Sequence, residues 1–307
     1  MNILITGGAG FIGSHLCDAL IDEHNLTVID NFVTGSNDNI KHLMDKDNFS
    51  LIEHDVSNQP IVKGPVDLIF HMASPASPID YQKIPIKTML VNSKGTYNML
   101  HIASNNNAKI LIASTSEIYG EPMEHPQHED YWGNVNPIGP RACYDEAKRF
   151  SEAMTFSFKR KHDVDAKIVR IFNTFGPRMR KNDGRVIPNF INQCLNNTPI
   201  TVYGDGMQTR SFCFVDDLVN GLIKVATSDK SGPFNLGNPS EITILDLAKE
   251  IRKLTDSGSE IVYKELPKND PTRRKPDISK IKKMGWSPSV HLEEGLKRTI
   301  DYFKNKQ

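Results

Sequence analysis

The sequence predicts an α/β fold built on a doubly wound, mostly parallel sheet, with a smaller C-terminal substrate lobe interleaved with it. Three observations carry that expectation. Short apolar runs alternate with helical patterns through residue 172, a glycine-rich turn separates the first run from the first helix, and Pro and Gly break the regularity beyond residue 172. A chain of 307 residues suits about two domains, or one large α/β unit with an attached lobe.

In chain order, Asn2-Ile3-Leu4-Ile5-Thr6 reads as a buried strand. Ile12, Leu16, Ala19 and Leu20 then recur at helical spacing, and Leu26-Thr27-Val28-Ile29-Asp30 resumes a strand. Further strands are expected at Ser50-Leu51-Ile52, Val66 to His71, Lys109 to Ala113 and Lys167 to Phe172, with helices near 92–105 and 145–161. Between the last two strands lies a Pro-rich loop, 121–143, carrying Trp132 and ending at Tyr144; loops of that length are usually functional or disordered. Phe212-Cys213-Phe214-Val215, an apolar helix and Pro233-Phe234-Asn235-Leu236-Gly237 predict one more strand-helix-strand returning to the sheet. The expected division is 1–172 plus about 212–237 for the dinucleotide-binding domain and about 173–211 plus 238–307 for the substrate lobe.

Lys and Arg number 37 against 37 for Asp and Glu, so no global basic field exists to gather nucleic acid or an anionic membrane. The longest apolar stretches fall short of the roughly 18 residues of a membrane span, and no signal-peptide pattern opens the chain. Four cysteines, at 17, 143, 194 and 213, lack metal, redox or disulfide-framework spacing. A cytoplasmic protein with reduced thiols is expected.

Thr6-Gly7-Gly8-Ala9-Gly10-Phe11-Ile12-Gly13 follows a strand and opens a helix, the position of a Rossmann dinucleotide fingerprint. Its spacing is G-x-x-G-x-x-G. Glycines let the backbone turn tightly and approach a pyrophosphate, whose charge meets the free N–H groups at the helix start. Asp30 closes the second strand about twenty residues on, where a carboxylate can accept both ribose hydroxyls, and Asn31 to Ser36 contains no Arg or Lys for a 2′-phosphate. NAD is expected rather than NADP.

Tyr144 and Lys148 form Tyr-x-x-x-Lys, which on a helix places an ammonium one turn from a phenol and can favour the phenolate. Tyr302 and Lys306 repeat the spacing at the C-terminus, where a solvated helix end is expected. The fifth strand runs into Ser114-Thr115-Ser116-Glu117-Ile118-Tyr119-Gly120, at the strand end that faces the ligand crevice, so Thr115, Ser116 and Glu117 are acid/base candidates. Asp270 to Asp277 concentrates Arg273, Arg274 and Lys275; by itself such a run usually marks a solvated face. Arg185 and Arg210 stand in Gly-rich surroundings, and their guanidinium forks suit phosphates. The ten histidines form no metal-ligand spacing, and no G-x-S-x-G turn is present, which disfavours metalloenzymes and serine hydrolases.

With these residues the chain resembles the extended short-chain dehydrogenase/reductase superfamily and, within it, the UDP-glucuronic acid decarboxylases. The segments that carry the narrower resemblance are His71-Met72-Ala73-Ser74-Pro75-Ala76-Ser77-Pro78, Glu129-Asp130-Tyr131-Trp132-Gly133 continuing through Asn136 to Tyr144, and Arg273-Arg274-Lys275-Pro276-Asp277. The glycine turn and Arg170-Ile171-Phe172-Asn173-Thr174-Phe175-Gly176-Pro177-Arg178 are shared with UDP-sugar 4-epimerases and nucleotide-sugar 4,6-dehydratases.

The resemblance implies Tyr144 as proton acceptor, Lys148 as its partner and a ribose ligand, and Thr115, Ser116, Glu117 and Arg274 as the remaining catalytic group. It places NAD against Gly7, Gly10, Phe11, Ile12, Gly13, Asp30, Asn31, Asp55, Val56 and Ser74. A UDP-sugar would lie against Asn173, Arg185, Tyr203, Arg210 and Arg274. It implies redox-neutral decarboxylation of UDP-glucuronate to UDP-xylose through a 4-keto sugar, and a homodimer formed through the helices near 92–105 and 145–161. A UDP-sugar 4-epimerase, a 4,6-dehydratase and a non-catalytic NAD-sensing protein of the same fold are the alternatives.

Overall fold

The computed structural model describes residues 1–266 and 273–306. In chain order the elements are β1 (Asn2–Thr6), α1 (Phe11–Leu20), β2 (Asn25–Asp30), β3 (Phe49–Glu53), β4 (Leu68–His71), α2 (Pro78–Lys83), α3 (Pro85–Leu90), α4 (Thr96–Asn106), β5 (Lys109–Thr115), α5 (Ala142–His162) and β6 (Ala166–Ile171). They continue with β7 (Thr174–Phe175), α6 (Val186–Leu195), β8 (Ile200–Tyr203), β9 (Thr209–Ser211), β10 (Cys213–Phe214), α7 (Val215–Ala226), β11 (Phe234–Leu236), β12 (Glu241–Thr243), α8 (Ile244–Leu254), β13 (Ile261–Lys264), β14 (Arg273–Arg274), α9 (Ser279–Lys282) and α10 (Leu292–Asn305).

Seven strands form one sheet in the order β11-β6-β5-β4-β1-β2-β3, every neighbouring pair parallel. Ile3 and Ile5 pack into one hydrophobic cluster and Leu4 into the other, so alternate side chains of β1 serve opposite faces, both covered. Strand order reverses between β1 and β4, and in such sheets the crevice outside the strand ends at that point takes the ligand.

All six strands expected before residue 172 are present. The segment at 212–215 departs from the expectation. Strand β10 pairs with β7 in a separate two-stranded sheet, and only β11 returns to the large sheet, beside β6. The aromatic rings explain the difference: Phe175 packs edge-on against Phe212 and Phe214, with centroids 6.4 and 5.6 Å away, which holds β10 to β7.

The helix expected near 92–105 begins with a wide π-helical turn, Val91–Gly95, before α4. Helix α5 starts at Ala142, so Tyr144 lies in its first turn and not at the end of the loop. Beyond the large sheet, β12-β9-β14 and β13-β8 form small sheets. The four cysteines are free, three of them buried. Among the described residues no helix is long and apolar enough to cross a membrane.

Candidate active site

The glycine turn is required by close approaches of backbone to backbone. Gly7 has φ +72°, and a Cβ there would lie 2.9 Å from Ala73 N; a Cβ at Gly13 would lie 2.1 Å from the Gly7 carbonyl oxygen. Gly10 caps α1 without any side-chain hydrogen bond, leaving the first turn's amides beside a cleft lined by Gly7, Gly10, Phe11, Ile12 and Gly13.

Buried Asp30 closes the far side of this cradle. Its Oδ2 accepts from the Ala9 N–H and its Oδ1 from the Phe32 N–H, both at 2.9 Å. Burial raises its pKa, against the opposing effect of these backbone donors. Asn31, Asp55, Val56 and Ser74 line the same cleft. Asp55 is oriented by the Ser57 amide at 2.9 Å and hydroxyl at 2.7 Å, and Ser74 Oγ accepts from Asn92 Nδ2 at 2.9 Å. A cradle that side chains would fill, free helix amides and a strand-end carboxylate together fit a dinucleotide.

At the other end, Tyr144 and Lys148 share one face of α5 and are each about 5% exposed. Lys148 Nζ donates to the Ala113 carbonyl at 2.7 Å and lies 5.9 Å from the Tyr144 ring centroid. Tyr81 of α2 stacks on Tyr144, centroids 5.0 Å apart and planes 2° from parallel. Burial pushes the Tyr144 phenol well above its usual range, only partly offset by its hydrogen bond with Thr115. Burial also brings Lys148 down to about 7, with Glu152 opposing. Burial thus opposes the phenolate and the ammonium alike.

Strand β5 ends at Thr115, whose Oγ1 accepts the Glu117 N–H at 3.2 Å and caps a 3₁₀ turn, Ser116–Tyr119. Glu117 Oε2 meets the guanidinium groups of Arg141 and, at 3.4 Å, Arg274. Arg274 is 1% exposed and also donates to the Ser116 carbonyl at 3.0 Å. Burial alone would raise the Glu117 carboxyl, but Arg274 and Arg141 outweigh it and hold it at about 2. Glu117 is thus held ionised near neutral pH by the two guanidinium groups. The solvated-face reading holds for exposed Arg273 and fails for Arg274; Asp270 to Thr272 lie outside the described residues.

Asn173, Arg185, Tyr203, Arg210 and Arg274 line the same cleft, of about 630 Å³. Arg185 is gripped by Asp183, with one contact at 2.8 Å, and lies 5.9 Å from the Phe11 ring. Every site residue expected from the sequence therefore borders one cavity. Tyr302 stands apart from it, half-buried against the core instead of fully solvated, with exposed Lys306 Nζ 5.4 Å from its ring.

Sequence reasoning missed Arg141, Tyr81 and Asp145. Arg141 carried a signal, since it lies three residues before Tyr144 and so on the same helical face. Asp145 is buried beside Arg141, 3.9 Å from its Nε, and burial with the nearby Glu117 charge raises it to about 7. Tyr81 offers no local signal; only the packing of α2 on α5 brings it to Tyr144.

A phenol and an amine buried one helical turn apart, facing a dinucleotide cradle, are the working parts of a nicotinamide-dependent enzyme that acts on a hydroxyl. The model of the NAD dependent epimerase/dehydratase family matches residues 3–237, and the chain belongs to that family. Over 306 residues it is 54% identical to UDP-glucuronic acid decarboxylase 1 of Xenopus tropicalis, covering 99% of this chain and 72% of the relative. UDP-glucuronic acid decarboxylase 1 of Arabidopsis thaliana is 50% identical over 308 residues, covering 100% of this chain and 70% of the relative. Among solved structures, UDP-glucuronic acid 4-epimerase from Bacillus cereus in complex with UDP-glucuronic acid and NAD matches with TM-score 0.89 and 28% identity, covering 100% of each chain.

Proposed function

We propose that this chain is an NAD-dependent carboxy-lyase that converts UDP-glucuronate to UDP-xylose without net redox change. The observation that carries the reading is Arg274, fully buried against Glu117 and Ser116 beside the Tyr144 and Lys148 pair, where a sugar carboxylate would need a cation. The decarboxylases that match at about half identity over nearly the whole chain support it.

A carboxylate leaves as carbon dioxide only when an electron sink lies β to it, and UDP-glucuronate has a hydroxyl there. NAD, when bound, supplies reversible oxidation at that carbon and ends the cycle as it began. Tyr144 takes the 4-hydroxyl proton, with Thr115 bonded to its oxygen and Tyr81 stacked on its ring to fix its direction. Lys148 holds the cofactor ribose. Ser116, Glu117 and Arg274 bind and orient the glucuronate ring through loss of carbon dioxide, and the resulting enolate is protonated from solvent. The buried surroundings keep the 4-keto sugar from escaping.

In this reading Gly7, Gly10, Phe11, Ile12, Gly13, Asp30, Asn31, Asp55, Val56 and Ser74 hold NAD, and Asn173, Arg185, Tyr203 and Arg210 hold UDP. Residues 1–172 with about 212–237 form the NAD domain and the rest the sugar lobe. Exposed Leu90 and Tyr97, flanking the π-helical turn, and exposed Phe150 of α5 support a homodimer through those helices. Four free thiols suit the reducing cytoplasm.

The test is turnover in D2O followed by proton NMR. UDP-xylose should accumulate well beyond the enzyme concentration, with one deuterium at position 5 and none at position 4. UDP-galacturonate without carbon dioxide would establish a 4-epimerase instead, and solvent label at position 4 would break the mechanism.

A further inference from the structure

The loop at 121–140 between β5 and α5 is long, and the chemistry above does not use it. Its centre is Gln127, which is 0% exposed. Gln127 forms a parallel bridge to Pro276, two residues beyond the Arg274 strand. Its N–H donates to the Lys275 carbonyl at 2.9 Å, and its carbonyl accepts the Asp277 N–H at 2.7 Å. Its side-chain Oε1 accepts the Lys275 N–H at 2.9 Å, while Nε2 donates to the Glu124 carbonyl at 2.8 Å. The backbone on both sides of Lys275 is therefore held by one residue, next to the arginine that meets Glu117.

The loop is itself anchored to the large sheet. Asn235 of β11 donates to the Gln127 carbonyl at 3.0 Å and to the Asp277 carbonyl at 3.2 Å, and its N–H donates to Glu129 at 2.9 Å. Arg170 of β6 reaches the Glu129 carbonyl at 2.7 Å while bonded to Glu152 and to the Tyr119 hydroxyl. On its other side the Arg274 strand pairs with β9, Arg274 opposite Arg210. The loop holds the chain just past this strand, while β9 and the Ser116 and Glu117 contacts hold Arg274 itself; two residues cannot form a stable strand alone.

We propose that Gln127 is a positioning residue for Arg274, and that the long loop serves to hold the Arg274 segment against the active site. The inference rests on the decarboxylase reading. A buried side-chain amide that satisfies the backbone N–H of the residue following a catalytic arginine helps set where that arginine's backbone can lie, and a shift there moves the guanidinium at the substrate.

The experiment is a double-mutant cycle on the full-length, NAD-loaded enzyme, with kcat, KM for UDP-glucuronate, bound NAD and the thermal midpoint measured for each protein. Gln127→Met keeps the length and removes both the acceptor Oε1 and the donor Nε2; Gln127→Glu keeps the acceptor Oε1 and, with its buried carboxyl protonated, a donor to the Glu124 carbonyl. Gln127→Met should lower kcat about 10-fold with bound NAD unchanged, the loss expected when the Lys275 N–H beside Arg274 and the Glu124 carbonyl both lose their partner. In an Arg274→Ala background the same change should cost less than about 2-fold, because its target is gone. At a pH where its buried carboxyl is protonated, Gln127→Glu should stay within about 3-fold of the native kcat, since one oxygen still accepts the Lys275 N–H and the other donates to the Glu124 carbonyl.

Equal losses in both backgrounds, a native kcat in Gln127→Met, or loss of NAD in parallel with kcat would each overturn the proposal. Should Gln127→Met fail to fold, Gln127→Asn, which withdraws the amide oxygen from the Lys275 N–H, decides: a loss of kcat that disappears in the Arg274→Ala background upholds the proposal, and a native kcat or a loss independent of Arg274 overturns it. Native enzyme that makes no UDP-xylose would instead overturn the decarboxylase reading, and this inference with it.

Discussion

Arg274 Nη2 lies 3.4 Å from Glu117 Oε2, across 157 residues of sequence, and Arg141 grips the same carboxylate oxygen from the start of α5. Two guanidinium groups on one half-buried carboxylate make the acid a fixed counter-charge, which frees neither arginine to wander from the cleft. The ion group ties the end of β5, α5 and the Arg274 strand into one unit.

Glu117→Gln should therefore lower turnover about 10²-fold, the scale of removing a preorganised charged group. The native carboxyl is held at about 2 against an ordinary 4.5. Its stabilising contribution is complete above pH 4.5 and is lost as pH falls toward 2. Urea titrations at several pH values should show the variant less stable than native protein at pH 7 and the difference shrinking between pH 4.5 and 2. A constant difference across that window would mean the carboxylate is not held this way.

Tyr144→Phe should reduce turnover on the order of 10²-fold or more and leave NAD bound, because the hydroxyl is lost while the ring still stacks on Tyr81. Tyr302→Phe, outside the cleft, should leave turnover unchanged. Steady-state kinetics with NAD quantified in each protein decides it, and near-native activity in Tyr144→Phe would move the proton acceptor elsewhere.

Lys148 is buried and held at about 7, below its ordinary 10.5. A lysine depressed in this way costs stability most fully below pH 7, and the cost disappears as pH rises through 10.5. Lys148→Met should then be more stable than native protein below pH 7, by an amount on the order of a few kcal/mol, and inactive. Thermal midpoints compared from pH 6 to pH 10 should converge toward the alkaline end; parallel curves would contradict the assignment.

Asp30 already accepts two backbone N–H groups, so its remaining lone pairs point to the cradle it closes. Asp30→Ala should weaken NAD about 10- to 100-fold and NADP far less, since a ribose carrying a 2′-phosphate gains nothing from the carboxylate. Equilibrium titration of both cofactors checks this. Native preference for NADP would refute the ribose argument.

Local periodicity and turn chemistry by themselves determined the parallel sheet, the glycine cradle, Asp30 and the Tyr144 and Lys148 pair. Those features depend on residues near one another in sequence: alternation buries a strand, a 2.1 Å approach at Gly13 excludes any side chain, and i, i+4 spacing sets one helical face. Tertiary structure decided the rest. Arg273, Arg274 and Lys275 are alike as a string of cations, and only the pairing of their strand with β9 and the Gln127 loop buries Arg274 while leaving Arg273 exposed. Tyr81 reaches Tyr144, and β10 chooses β7 over the large sheet, for the same reason. These contacts join segments far apart in the chain, and their energies come from packing and desolvation, which no local window of sequence contains.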